Sequence, residues 1–311
     1  MKKILVIAGT RPNFIKISQF KKIASAYPQL DLRILHSGQH YDHSLSGVFL
    51  NELDIHADYF FEIQPLDPDA QIAEIKDKLT SLIKATFHPD LIVLVGDVNS
   101  TRAAAEVAMD LKITAAHVES GLRSFDDTMP EEHNRIIADK ASTFHFITEE
   151  SGLKNLLHEG FKEDSIFFVG NTMIDTIVAF EHQIQRDPIL EELEIKNRPF
   201  ALVTIHRPSN VDTKELLDRS IALIKSIAKD TLIIFSVHPR TYNQLQKNVL
   251  LTHLIETDNL ILSSPMGYFA FQKLIAYSEF IVTDSGGIQE EATFRKKPCI
   301  TIRPNTERPS T

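Results

Sequence analysis

The chain has one cysteine, Cys299, among 311 residues, so an internal disulfide is excluded. Cys299 lies inside the apolar run KPCITI and reads as a buried, inert thiol in a cytoplasmic protein. Long hydrophobic runs are missing too. None approaches the ~18 residues that cross a bilayer, so no membrane span is expected. The opening MKKILVIAG is basic and then apolar, but short. GTRPNFIK follows it where a secretory leader carries small residues for cleavage, so it reads as a first strand. Positive charge is in deficit. The formal net charge is −9, with Lys and Arg scattered along the chain, which argues against nucleic acid or an anionic membrane surface as partner and favours a small ligand. Glycine is sparse where nucleotide loops use it. Gly9 stands alone after the first strand, and the absence of both GxGxxG and GK[ST] excludes a dinucleotide fingerprint and a Walker loop.

What is present is an alternation of short β-branched runs and amphipathic helical stretches, with no low-complexity segment. With 43% hydrophobic residues the chain can bury two domain cores but hardly three. The pattern predicts an α/β protein of two doubly wound domains. The first, residues 1–180, holds six or seven parallel strands; FIKISQFKKIASAY is read as its first helix and DYFFEI as one of its strands. EHQIQRDPILEELEIKNRP is the one linker-like composition, which sets the boundary near residues 178–198. The second domain, residues 198–311, repeats the plan, and its His206-Arg207-Pro208 echoes Thr10-Arg11-Pro12. In such folds ligands bind at the carboxyl ends of the strands.

The stretch Leu94–Arg135 concentrates the chemistry. LIVLVG and ITAAHVE are strands that run into Asp97 and Glu119, and neighbouring parallel strands open into the same crevice. Glu131 follows Pro130 in MPEEHNR, at the positive end of a helix. Each acid also has a plain reading: Asp97 as a helix cap, Glu119 as a solvated strand end, Glu131 as an exposed partner of Arg135. Their recurrence at matching ends of consecutive units favours a site. Arg11 and Lys16, near the start of the first helix, suit an anion such as phosphate, although Lys16 also reads as a solvated helix lysine. Gln39, His40 and His43 cluster, but no third ligand stands at the usual spacing and no metal is expected. Asp284-Ser285-Gly286-Gly287 lets backbone N–H groups approach a diphosphate at a helix start. Glu290 or Glu291, one turn in, can accept from a ribose diol.

In order, GTRPNFIK, GQHYD, VGDVNST, HVESGLRS, MPEEHNR, VGNTMIDT, HRPSNVD, VHPRT, DSGGIQEEA and TERP resemble the UDP-N-acetylglucosamine 2-epimerase family over essentially the whole chain. The resemblance implies two Rossmann-like domains of the glycosyltransferase-B type, an active site in the interdomain cleft, UDP held mainly by the C-terminal domain, and a homodimer. It implies anti elimination of UDP to 2-acetamidoglucal and re-addition, without a cofactor. By the same resemblance the catalytic positions are Asp97, Glu119, Glu131 and His206. Substrate contacts fall on Arg11, Lys16, Arg135, His238, Phe271 beside uracil, Ser285, Gly286, Gly287 and Glu291. Clustered carboxylates are expected to raise one another's pKa, giving an acid and a base at neutral pH. Two departures stand out. YDHSLSG replaces the methionine-containing run tied to an activator site, which removes the basis for substrate activation. The chain also ends at TERPST, where relatives continue, so the C-terminal domain is expected to be incomplete. Other readings are the same chemistry on a UDP-diacetamido-uronic acid, a hydrolysing enzyme that releases N-acetylmannosamine, and an inactive nucleotide-sugar binder.

Overall fold

Each apolar run bounded by turn residues forms a strand, and the strands sort into two parallel sheets. The computed structural model describes residues 1–38, 43–64, 67–303 and 306–311, with residues 43–46 described by backbone alone. Gln39, His40 and the side chain of His43 therefore lie outside the described residues. One unit comprises Met1–Ala179 with Glu307–Ser310, the other Phe180–Thr306 with Thr311.

In the first unit β1 (Lys2–Ala8), β2 (Leu30–His36), β3 (Tyr59–Phe60), β4 (Leu91–Val95), β5 (Thr114–Val118), β6 (Phe144–Ile147) and β7 (Ile166–Phe168) form one sheet. Their order is β3-β2-β1-β4-β5-β6-β7, and every pairing is parallel. In the second unit β8 (Phe200–Thr204), β9 (Leu232–Ser236), β10 (Leu260–Ser263), β11 (Phe280–Thr283) and β12 (Cys299–Thr301) take the order β10-β9-β8-β11-β12, again all parallel. Strand order reverses once in each sheet, between β1 and β4 and between β8 and β11. At such a switch point the loops leave in opposite directions and open a crevice.

Burial on both faces explains the unbroken apolar runs. In the second sheet Val203, Ile205, Ile233, Phe235 and Val282 enter one core. Their neighbours Phe200, Leu202, Leu232, Ile234 and Ile281 enter another, as the two-residue period of a strand requires.

Three local expectations are corrected. The polar stretch read as a linker is helical over Glu181–Arg186 and Ile189–Glu192, and buries Ile184, Ile189, Leu190 and Ile195. Its few apolar residues face inward, so composition averaged over the stretch hides them. The first helix starts at Arg11, earlier than read, because Pro12 fits a first turn and the Asn13 side-chain oxygen Oδ1 accepts the N–H groups of Gly9 and Thr10, each at 3.1 Å. It stops at Ile17, and a separate helix spans Phe20–Ala24. The strand in DYFFEI shrinks to Tyr59–Phe60. Among the described residues no helix is long and apolar enough to cross a membrane.

Gly121, just past β5, carries a testable packing demand. Its φ is +79°, and a Cβ added there would lie 2.5 Å from the carbonyl oxygen of Gly152. Gly121→Ala is expected to cost roughly 2–5 kcal/mol, combining left-handed strain with a clash against backbone. A lower denaturant midpoint at unchanged slope checks this; an unchanged midpoint refutes it.

Candidate active site

Register decides which side chains meet at the first switch point. Val95 of β4 pairs with Val118 of β5, so the turns that follow, Gly96-Asp97 and Glu119-Ser120-Gly121, lie side by side. Glu119 has a φ of +70°, a conformation that costs a non-glycine residue on the order of 1–3 kcal/mol and tends to mark functional positions. Its carboxylate is buried, paired with Lys16 on one side and with Arg308 at 3.0 Å on the other. A Cβ on Gly96 would lie 3.3 Å from Glu119 Oε2 and 3.1 Å from Lys16 Nζ, so this pair sits directly under the turn carrying Asp97.

Asp97 is a quarter exposed and pairs with the buried Arg135, which also pairs with Glu132. Asn134 donates to the Asp97 carbonyl at 2.9 Å. Of the two glutamates at the start of the helix Pro130–Ala141, Glu132 points inward and accepts from Ser124 N, Ser124 Oγ and Phe125 N at 2.8–3.1 Å. Glu131 is exposed. The structure thus brings Asp97 to Arg135 and Glu119 to Lys16, while Glu131 stands at the surface of the same helix start. Arg11 is half-buried, with its guanidinium 5.4 Å from the centre of the Phe49 ring.

This geometry corrects the electrostatic expectation. Glu119 is flanked by cations and not by another carboxylate. Burial alone would push the Glu119 pKa up, but Lys16 and Arg308 outweigh it and hold it at about 2. Glu132 is likewise held below its ordinary range, where burial is outweighed by Ser124, Arg135 and Phe125 N–H. Glu119 is an ionised carboxylate clamped between two cations.

At the second switch point Thr204 of β8 pairs with Thr283 of β11, which sets His206 beside Asp284. His206 Nδ1 lies 2.9 Å from the fully buried Asp284, while its ring is about one-third exposed. Asp284 also accepts from His206 N, Arg207 N and Asn210 Nδ2 at 2.8–3.1 Å. The His238 ring lies 5.1 Å from that of His206, and its Nδ1 accepts from Arg240 N. Ser285 stands at the N-cap position of the helix Gly286–Phe294 without a side-chain capping bond, and Gly286 and Gly287 open its first turn, with no acidic side chain there to compete for an anion. Glu290 and Glu291 are both buried. Phe271 is half-buried and packs against the core cluster to which Leu274 and Ile281 belong.

Asp284 and Glu291 titrate in opposite senses. Burial alone would raise Asp284, but His206, Asn210 and the Arg207 N–H hold it at about 2. Its stabilising contribution is complete above its ordinary 3.8 and is lost as pH falls through about 2. Burial, reinforced by Glu290, pushes Glu291 up to about 8 from an ordinary 4.5, with Gln272 and Arg295 opposing. The folded chain therefore keeps a proton that the unfolded chain releases, so stability present below about 4.5 is lost as pH rises to about 8. Glu291→Gln should remove that alkaline decline, on the order of a few kcal/mol, in denaturation curves compared at pH 5 and pH 8. An unchanged difference between the two pH values contradicts a protonated Glu291.

Sequence reasoning overlooked several of these groups. Arg308 was visible only as part of TERP, Glu132 only as a neighbour of Glu131, and Asp284 only as a strand end. A paired histidine and aspartate on strands flanking a switch point was the available signal for Asp284. For Arg308 no local signal points to the site, because Glu119 lies 189 residues away and another partner is the adjacent Glu307. The Cys299 thiol is half-buried, and burial raises its pKa to about 11, so it stays protonated. Among the described residues no group of three or more His, Cys, Asp or Glu is placed to hold a metal.

Known proteins share the sequence and the fold of this chain. The profile of the UDP-N-acetylglucosamine 2-epimerase family matches residues 22–311. A UDP-N-acetylglucosamine 2-epimerase of Methanocaldococcus jannaschii is 39% identical over 99% of this chain and 86% of its own length. A UDP-2,3-diacetamido-2,3-dideoxy-D-glucuronate 2-epimerase of Pseudomonas aeruginosa is 34% identical over 98% of this chain and 84% of its own length. The crystal structure of the Methanocaldococcus jannaschii enzyme in complex with UDP-GlcNAc and UDP superposes with a TM-score of 0.92 at 38% identity, covering 99% of this chain and 86% of that one. With nearly the whole chain matched in sequence and in fold, and with two doubly wound sheets of the glycosyltransferase-B type, the protein belongs to the UDP-N-acetylglucosamine 2-epimerase family.

Proposed function

We propose that this chain interconverts UDP-N-acetylglucosamine and UDP-N-acetylmannosamine without hydrolysis. A carboxylate removes the C2 proton. The C–H electron pair becomes the C1–C2 double bond as the C1–O bond breaks, and UDP leaves with its electron pair. Re-addition of UDP and protonation of C2 from the opposite face give the epimer, so no electrons are gained or lost. Two faces need two proton-transfer groups, and Asp97, Glu119 and Glu131 are assigned to them, with His206 beside the departing diphosphate. Arg11, Lys16, Arg135, His238, Ser285, Gly286 and Gly287 are assigned to substrate, Glu291 to ribose and Phe271 to uracil.

The observation that carries this reading is Glu119, strained, buried and clamped between Lys16 and Arg308 beside the Asp97 turn. At about 2 its pKa makes it a poor base. A diphosphate that draws Lys16 away removes a counter-cation, and the carboxylate becomes more basic as substrate arrives.

Incubation with UDP-N-acetylglucosamine in deuterated water tests this. UDP-bound mannosamine with deuterium at C2 is expected. Free N-acetylmannosamine with UDP would instead mean hydrolysis, and no exchange would mean a binder. The Pseudomonas aeruginosa relative favours a second reading, in which the preferred sugar is a UDP-diacetamido-uronic acid; competing the two substrates in one reaction separates them. We extend the proposal to a cytoplasmic homodimer, as the family resemblance implies, which light scattering at micromolar concentration would refute by giving a monomer mass.

A further inference from the structure

Behind Glu119 lies a buried polar cluster that the proposed chemistry leaves unused. His117, Ser120 and Asp139 are fully buried and His145 nearly so. Asp139, on the helix Pro130–Ala141, receives four donors: His117 Nδ1 at 2.6 Å and Ser120 Oγ at one oxygen, Gly121 N at 3.2 Å and Arg123 Nη2 at 2.7 Å at the other. His117 Nε2 lies 2.8 Å from the carbonyl oxygen of Gly96.

Counting protons fixes the state of the ring. A carbonyl oxygen only accepts, so Nε2 carries hydrogen. Asp139 is ionised, since apart from His117 it receives the Arg123 guanidinium at 2.7 Å, the Gly121 N–H and the Ser120 hydroxyl, three donors that match an acceptor-only carboxylate. An ionised carboxylate also only accepts, so Nδ1 carries hydrogen as well. The Ser120 hydroxyl is committed to Asp139, which leaves its oxygen to accept from His145 Nδ1 at 3.0 Å. Arg123 makes a second, two-pronged pair with Glu159. His145 lies beside His117 in register across β5 and β6, and burial holds its pKa below the ordinary histidine value, with His117 and Arg123 adding to that effect against Asp139.

We propose that His117 is a positioning residue held as an imidazolium, a doubly donating bridge. It ties the Gly96-Asp97 turn to Asp139, and through Asp139 to the Glu119-Ser120-Gly121 turn. The bridge rests on the reading that Asp97 and Glu119 act on one substrate. Its consequence is a fixed spacing between their two carboxylates, set from a layer that substrate does not touch. A neutral imidazole would either turn a lone pair towards Asp139 or leave the Gly96 carbonyl without its donor.

Two measurements on the full chain test this. In nitrogen-15 histidine spectra at pH 8, the His117 ring, assigned through its contacts with Gly96 and Ser120, should show both nitrogens protonated; one bare nitrogen overturns the proposal. In kinetics, His117→Asn keeps the reach to Asp139 and His117→Gln the reach to Gly96. Each should lower kcat and C2 deuterium exchange by about 10²-fold, with KM changed by no more than about threefold, as misplacement of a reacting group does. Turnover like the parent chain in either variant also overturns it. If both variants fail to fold, the spectrum of the parent chain decides. A parent chain that exchanges no deuterium refutes the epimerase reading, and the spectrum still judges the bridge.

Discussion

Glu119→Gln is expected to lower turnover about 10³-fold, the middle of the range for losing a general base, while the protein keeps or gains affinity for UDP. The two effects share one cause. In the parent chain the carboxylate neutralises Lys16 and Arg308, all three being buried. An amide keeps the shape but carries no charge; Arg308 retains its pair with Glu307 at 2.5 Å, whereas Lys16 loses its carboxylate, and removing one partner from a buried ion pair costs about 3–5 kcal/mol because the remaining charge is stranded. A diphosphate arriving beside Lys16 relieves that cost. UDP should therefore raise the melting temperature of the variant by more than that of the parent, since a ligand stabilises according to its affinity for the folded state. Steady-state turnover and thermal shifts with and without UDP measure both effects. Retained turnover sinks the assignment of Glu119, and an equal thermal shift sinks the coupling to Lys16.

That prediction depends on contacts which the sequence shows unevenly. The strands were legible because burial on both faces demands continuous apolar runs such as LIVLV, FALVT and LIIFS, and because turn residues close them. Two acids at strand ends were legible for the same reason: Asp97 and Glu119 interrupt runs where packing gives no cause for charge. Partners were not. Whether a strand-end acid has its pKa lifted or lowered depends on which cation reaches it, and Lys16 and Arg308 lie 103 and 189 residues from Glu119. Adjacent acids were ambiguous as well. Glu131 and Glu132 differ by one step of helix rotation, and the loop Ser124–Phe125 together with Arg135 draws Glu132 inward. The residues 180–198 were misread because four buried aliphatics are spread among charged neighbours, as in any short amphipathic helix.

Asp284→Asn should be nearly as damaging as Glu119→Gln, lowering kcat about 10²–10³-fold with a smaller effect on UDP affinity. Asp284 receives only donors: the backbone N–H groups of His206 and Arg207, Asn210 Nδ2 and His206 Nδ1. An amide offers one accepting oxygen, and its NH2 must then face N–H groups that can only donate. If the NH2 faces His206, it donates to Nδ1 and drives the ring into the opposite tautomer, with hydrogen on Nε2 and no lone pair at the exposed edge. If the oxygen faces His206, the NH2 is set against Arg207 N and Asn210, and the turn into the helix Pro208–Val211 is pushed apart. The ring loses its tautomer in the first case and its position in the second. Steady-state kinetics and thermal shifts with UDP measure the two effects, and Asp284→Glu, which restores charge but not reach, should recover little of the rate. If Asp284→Asn retains the parent rate, His206 takes no part beside the departing diphosphate.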